Sequence, residues 1–394
     1  MRYGPGTRFS FSLNQKFLKA LCMNSPLLAI IKSFLRLVYH YIQVGKLFRG
    51  FNSPSYNQDK TRLKPKVSQF LDYLYLFFVL GVLPSNYHLF QFDTKPRERF
   101  KEYMDEPSSP SLRHKMYAKL WDDAYSSLVN DKYLFHCICQ HHHLPVPSMY
   151  GVIRKGTFIA ADSGLPTIHN GDEKKVVVKP ARGMQGKGIY FVNMEEIFDL
   201  SGEAHEPTLP KGIREAFLST DFVVQELIRQ HPLLDNINPH SLNTIRIITL
   251  LTSENKAEVL AAMLRTSSDE SPVDNFSTGG IVVGIEMDTG NLKPAGFLKA
   301  PYGTTVTSHP VTGTQFSHVQ IPYWQEVKEV AAKAQQEFYQ LKAIGWDFAI
   351  TKDGPVLIEG NIEWGTAGIQ AATGGLLNQR NRELFARWGL RFYE

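Results

Sequence analysis

The segment GWDFAITKDGPVLIEGN, residues 345–361, constrains the fold more than any other stretch of this 394-residue chain. Trp346–Thr351 and Pro355–Ile358 are apolar or β-branched runs on either side of Lys352-Asp353-Gly354, so they read as the two strands of a hairpin. A three-residue loop with Gly354 left-handed suits a type I turn there. That register sets Asp347 opposite Glu359, and strand alternation puts Asn361 on the same face. Two carboxylates this close repel each other unless a cation or a shared proton lies between them. Oxygen-only donors suit a hard ion such as Mg2+. Gly345 and Gly360 read as room for a ligand against the backbone. A solvent-facing strand pair with incidental acids fits the same residues.

A second region points to phosphate. Val176-Val177-Val178-Lys179-Pro180 reads as a buried strand ending in a lysine, and ARGMQGKGI follows with Gly183, Gly186, Lys187 and Gly188. Closely spaced glycines let backbone N–H groups wrap an anion while a lysine supplies a point charge. The spacing is not that of a Walker loop, and in a protein kinase the glycine loop precedes the strand lysine. No Gly-x-Gly-x-x-Gly opens a helix after a strand, which argues against a dinucleotide fold. A plain Gly-rich hairpin turn is the competing reading. Downstream, the strand Phe222–Ile228 has its apolar run broken at Gln225-Glu226, a rim on which an adenine fits.

Hydrophobic residues make up 43% of the chain, enough for a sizeable core and two or more domains. The expected texture is α+β. Helices are expected over 67–81, 111–128, 131–142 and 323–341. Strands are expected over 149–154, 176–179, 188–192, 222–228, 244–252, 258–265 and 281–287. The run EPSSPS, Glu106 to Ser111, separates a basic, mainly helical region 1–110 from a domain 111–394 with parts at 150–228 and 229–394. The first 66 residues carry twelve Lys or Arg against one acid, Asp59, and Pro26–Lys46 has the pattern of a basic amphipathic helix. Such a region suits peripheral contact with an anionic membrane, or packing on its own domain, without specific nucleic-acid readout. The apolar window Phe70–Leu83 is too short to span a bilayer. Three cysteines, Cys22, Cys137 and Cys139, give no disulfide framework, and no signal peptide is evident, so a cytoplasmic location is expected. The run His136-Cys137-x-Cys139-x-His141-His142-His143 scatters around a helix axis and makes a poor tetrahedral zinc site. His309-Pro310 and Thr312 suit either a substrate neighbourhood or a turn.

The order of these elements resembles the ATP-grasp superfamily, which includes D-alanine–D-alanine ligase and the glutamate-adding ligases. NPHSLNTIRIITLL, the stretch Met263–Gly280 and GWDFAITKDGPVLIEGN are similar to the sugar-transfer-associated ATP-grasp family over residues 112–378. The resemblance implies an ATP-grasp fold whose two α+β parts clasp ATP. By it, Lys132 and Lys179 hold the phosphates under a loop containing Gly183, Gly186, Lys187 and Gly188. Gln225, Glu226 and Ile228 line the adenine, and Asp347, Glu359 and Asn361 bind Mg2+. Arg265 stabilises an acyl phosphate, and Arg246 and Asn275 face the substrate. The implied partners are a small-molecule carboxylate and an amine, with a sugar linkage suggested by the family. A phosphotransferase using the same ATP site and a non-catalytic module are the alternatives. The chain departs from better-known ligases just past Asn361, where it reads Ile362-Glu363-Trp364-Gly365, and substrate analogy fails there.

Overall fold

The computed structural model describes residues 51, 54–82, 84–104, 112–161, 175–183, 187–198, 209–272, 274, 276, 279–299 and 303–393. Ser53–Glu394 forms one compact unit. The expected helix at 26–46 and the boundary at 106–111 lie outside the described residues.

Two antiparallel sheets organise this unit. The smaller has the order β2-β1-β5-β3-β4, from Met149–Arg154 (β1), Thr157–Ala160 (β2), Lys175–Pro180 (β3), Tyr190–Asn193 (β4) and Phe222–Glu226 (β5). The larger has the order β10-β9-β8-β7-β6-β11-β12. Its strands are Thr244–Leu251 (β6), Ala257–Thr266 (β7), Ile281–Ile285 (β8), Leu292–Leu298 (β9), Thr304–Val306 (β10), Ala343–Thr351 (β11) and Gly354–Asn361 (β12). The helix Lys132–His141 starts at Asp131, whose carboxylate caps the N–H groups of Tyr133 and Leu134 at 3.2 Å each.

Strand alternation decides what each face of the large sheet does. Ile245 and Ile247 of β6, Leu264 of β7 and Trp346 and Phe348 of β11 join Val327, Ala331 and Ala334 of the helix Trp324–Glu337 in one buried core. The polar groups within that core are satisfied: Trp346 Nε1 donates to Thr249 Oγ1 at 2.8 Å, and Thr249 Oγ1 donates to Gln335 Oε1 at 2.8 Å. Thr244, Arg246, Arg265 and Asp347 therefore project from the opposite face. The helix Thr366–Thr373 packs on that face too, over β7, β8 and β9. Its amide side chain Gln370 exchanges hydrogen bonds with Met104 N at 2.7 Å and Met104 O at 2.6 Å, fastening the segment before residue 105.

The hairpin turn differs from expectation. Thr351 pairs with Gly354 around a two-residue loop, and Gly354 keeps the left-handed backbone at φ +124°. Ile358 is then an extra residue on β12, because Phe348 pairs with Leu357 whereas Asp347 pairs with Glu359. This one-residue bulge restores the opposition of the two acids. The strands β2, β9 and β10 and the two C-terminal helices were not anticipated. The helix expected at 111–128 ends at Leu120 and is followed by short turns.

Gly284 of β8 marks the closest approach of helix and sheet: a Cβ there would stand 2.3 Å from the Ala372 carbonyl oxygen. A backbone obstacle cannot rotate away. Gly284→Ala is expected to lower unfolding free energy by about 1–3 kcal/mol in urea titrations.

Candidate active site

One rung crosses three strands of the large sheet. Arg246 on β6 is opposite Asp347 on β11, and Asp347 is opposite Glu359 on β12. Arg246 binds both oxygens of Asp347, Nε to Oδ1 and Nη2 to Oδ2 at 2.6 Å. Arg265 bridges two acids, with Nη1 3.1 Å from Asp347 Oδ2 and Nη2 2.9 Å from Asp274 Oδ1. Thr244 Oγ1 donates to the other oxygen of Asp274. Asn361 Nδ2 lies 3.4 Å from Asp347 and 3.3 Å from Glu359.

These contacts split the two carboxylates electrostatically. Burial pushes Asp347 up, but Arg246 and Arg265 together outweigh it and hold its pKa at about 2. Glu359 is raised, by burial first and by the charge of Asp347 next, with Lys132 and Arg246 offsetting only part. Asp274 is also raised by burial, against the pull of Arg265. Glu359 is thus the acid whose negative charge the protein alone leaves least compensated.

The small sheet and the helix after Asp131 bring the lysines. Lys132 Nζ donates to the Gly183 carbonyl at 3.0 Å, and Lys132 N donates to Ala181 O at 2.9 Å. Burial lowers the pKa of Lys132, while Glu359 pulls it back up. Burial likewise lowers Lys179, on β3, to about 8, with Glu359 raising it and Lys132 lowering it further. Both lysines thus sit within electrostatic reach of the carboxylate rung.

Of the residues expected from sequence, Lys132, Lys179, Gly183, Arg246, Arg265, Asp347, Glu359 and Asn361 come together. Arg246 lies on Asp347, where a substrate-facing role had been expected. Lys187 is exposed and Gly188 has φ +73°, so the loop turns as a glycine permits. Gly186 and Asn275 lie outside the described residues. Gln225 is buried in β5, the central strand of the small sheet, and Glu226 Oε2 accepts from Ser148 Oγ at 2.9 Å. Ile228 follows half-buried in the loop.

One reading changes. Gly345 and Gly360 make room for side chains rather than for a ligand: a Cβ at Gly345 would lie 2.5 Å from Trp364 Cβ, and one at Gly360 would lie 3.0 Å from the Trp346 ring. His309 forms a turn, Nε2 donating to Ser267 O at 2.7 Å and Nδ1 accepting from Val311 N at 3.3 Å. Sequence reasoning reaches Asn275 but not its neighbour Asp274, the partner of Arg265. The nearest signal for it is its place as one of three acids, with Asp269 and Glu270, in the polar stretch that follows the strand-end Arg265.

The donor set fits a hard divalent cation. Asp347 and Glu359 face each other across the ladder, and a flipped Asn361 amide offers its oxygen. Among the described residues, no three His, Cys, Asp or Glu side chains group as a metal site; the Asn361 amide is a further oxygen donor beside the two carboxylates.

The profile of the family described as sugar-transfer associated ATP-grasp matches residues 111–384. The chain belongs to that family. No curated protein matches it. Solved structures share low similarity. The D-alanine–D-alanine ligase of Bacillus anthracis is 12% identical, with TM-score 0.37, over 67% of this chain and 69% of that one. The biotin carboxylase of Campylobacter jejuni is 12% identical, with TM-score 0.39, over 68% of this chain and 47% of that one. The ATP-grasp ligase PsnB, solved with a precursor variant, Mg and ADP, is 12% identical, with TM-score 0.36, over 68% and 61%. The chain spans 47% of the first matching structure, an N5-carboxyaminoimidazole ribonucleotide synthetase.

Because the folded pKa of Glu359 is raised, the metal-free fold loses stability as pH rises through it, while a cation must displace its proton at lower pH. Mg2+ is therefore expected to raise the melting temperature more at about pH 8 than at about pH 5. Glu359→Gln should abolish this dependence without lowering the melting temperature of the metal-free protein. Scanning fluorimetry across pH checks both.

Proposed function

We propose that this member of the sugar-transfer-associated ATP-grasp family is an ATP- and Mg2+-dependent ligase that joins a carboxylate to an amine. The observation that carries the reading is the convergence of Lys132 and Lys179 with the rung Arg246–Asp347–Glu359. Lysines partly stripped of water and short of counter-ions suit a polyphosphate. Asp347, Glu359 and Asn361 would hold Mg2+, which when bound neutralises phosphate charge as a Lewis acid. Lys132 and Lys179 orient the ATP chain, and the glycine loop screens it from water. Arg265, anchored by Asp274 and Asp347, has a fixed guanidinium ready for charge that develops during transfer.

In this reading, a carboxylate oxygen attacks the γ-phosphorus and ADP leaves, giving an acyl phosphate. An amine then attacks the acyl carbon, and phosphate leaves with the bonding pair. A thiol acceptor gives a thioester by the same route. Positioning and charge neutralisation supply the rate, which suits a site of Lys, Arg and carboxylates. The family description, sugar-transfer associated, supports a sugar-linked carboxylate or acceptor, and in this reading the product serves polysaccharide or cell-envelope modification. Among the described residues, no helix is long and apolar enough to cross a membrane.

Two experiments test this reading. Phosphate release from Mg·ATP across sugar acids and amino acids should identify a productive pair, and Asp347→Asn or Glu359→Gln should slow it about 100-fold or more. A product that retains the phosphate on a sugar hydroxyl would instead mark a phosphotransferase, and unchanged turnover in both variants would remove the site. ATP should also raise the depressed pKa of Lys179. Binding of metal-free ATP near pH 8 is therefore expected to take up protons, by calorimetry in buffers of different ionisation heat, and Lys179→Met should reduce that uptake.

A further inference from the structure

The helix Lys66–Leu74 and the wider turn Tyr75–Val79 that continues it are built inside out. A surface helix ordinarily turns its apolar stripe to the core and its polar side to water. Here Gln69 and Asp72 are 3% and 1% exposed, while Val67, Leu71, Phe78 and Val79 are 72%, 47%, 73% and 66% exposed. Val67 and Leu71 lie one helical turn apart on an outer stripe, and the exposed Phe78 and Val79 extend the apolar surface into the wider turn. The inward polar face is fully engaged. Asp72 accepts from Lys64 Nζ at 2.6 Å, Arg97 Nε at 2.5 Å and Tyr87 Oη at 2.9 Å. Gln69 Nε2 donates to Lys64 O at 2.7 Å. Rolling the helix over would leave buried donors and a carboxylate unpaired, so the apolar stripe is committed outward.

We propose that this stripe docks on an anionic lipid bilayer, with the helix lying along the headgroup plane. Charge selects this occupant. Lys60, Arg62 and Lys66 are exposed at the start of the helix, and the exposed Asp59 beside them is paired with Arg62 at 3.1 Å. The twelve Lys or Arg of the first 66 residues have the same sign. Cations draw the chain to anionic headgroups, and Leu71, Phe78, Val67 and Val79 then enter the acyl boundary. Nine helical residues and a five-residue turn are too short to span a bilayer, which leaves the in-plane arrangement. This inference stands apart from the ligase reading.

The test is co-sedimentation of the full chain with phosphatidylcholine vesicles, with and without phosphatidylglycerol. The parent is expected to bind the anionic vesicles. Leu71→Asp/Phe78→Asp and Leu71→Ser/Phe78→Ser should each weaken that partition at least about tenfold, since both remove buried apolar area. Because both side chains face outward, circular dichroism and metal-dependent ATP binding should stay at parental values. Retained binding by the Ser pair would reduce the effect to charge and overturn the proposal. So would a parent that ignores both vesicle types but forms a dimer, by size exclusion, that the variants dissociate, for then a second copy covers the stripe.

Discussion

The site depends on a single electrostatic constraint: two carboxylates held face to face in the Asp347–Glu359 pair of one hairpin. Bringing like charges together out of water costs several kcal/mol unless cations enter with them. The fold meets half of that demand. Arg246 arrives from the next strand on the same rung, and Arg265 arrives from the pair Thr244–Arg265 beside it. Both spend their charge on Asp347 and Asp274, so Glu359 remains the open position. Lys132 and Lys179 sense it without forming an ion pair to it. In the proposed reading, a multivalent cation shared with phosphates would complete the balance.

Holding such a rung requires a rigid support. The opposite face of the same strands supplies it, with Trp346 and Phe348 alternating with Asp347 and packing on the helix Trp324–Glu337. On the site face, Trp364 and the stem of Arg246 fill the space above Gly345. The helix Thr366–Thr373 covers β7 to β9 and also grips Met104. The segment carrying the inside-out helix is therefore fastened to the same element that packs over the site face.

Much of this was legible in the chain because strand alternation is local. The pairing of Asp347 with Glu359 follows from a turn signal and a period of two, and it survives although the loop is shorter than expected, since the bulge at Ile358 compensates. The α+β class and the helix beginning near Asp131 are legible from local pattern too. What escaped depends on contacts distant in sequence. The glycines at 345 and 360 read as ligand space because nothing local says that Trp364 and Trp346 will fill it. Asp274 gains its meaning only when Arg265 folds back onto it. Strand β9, with Pro294 and Gly296, lacks the alternating signature that would announce it. The meeting of Lys132 with Gly183 came from the family resemblance, since no periodicity links positions so far apart.

The most direct test of the central claim is calorimetric titration of ATP into the full chain with and without Mg2+. An open carboxylate that shares its cation with phosphates predicts ATP affinity at least about tenfold higher with Mg2+ present. Equal affinity in both conditions would contradict the account, because Lys132 and Lys179 alone would then hold the nucleotide and the Asp347–Glu359 pair would serve the fold instead.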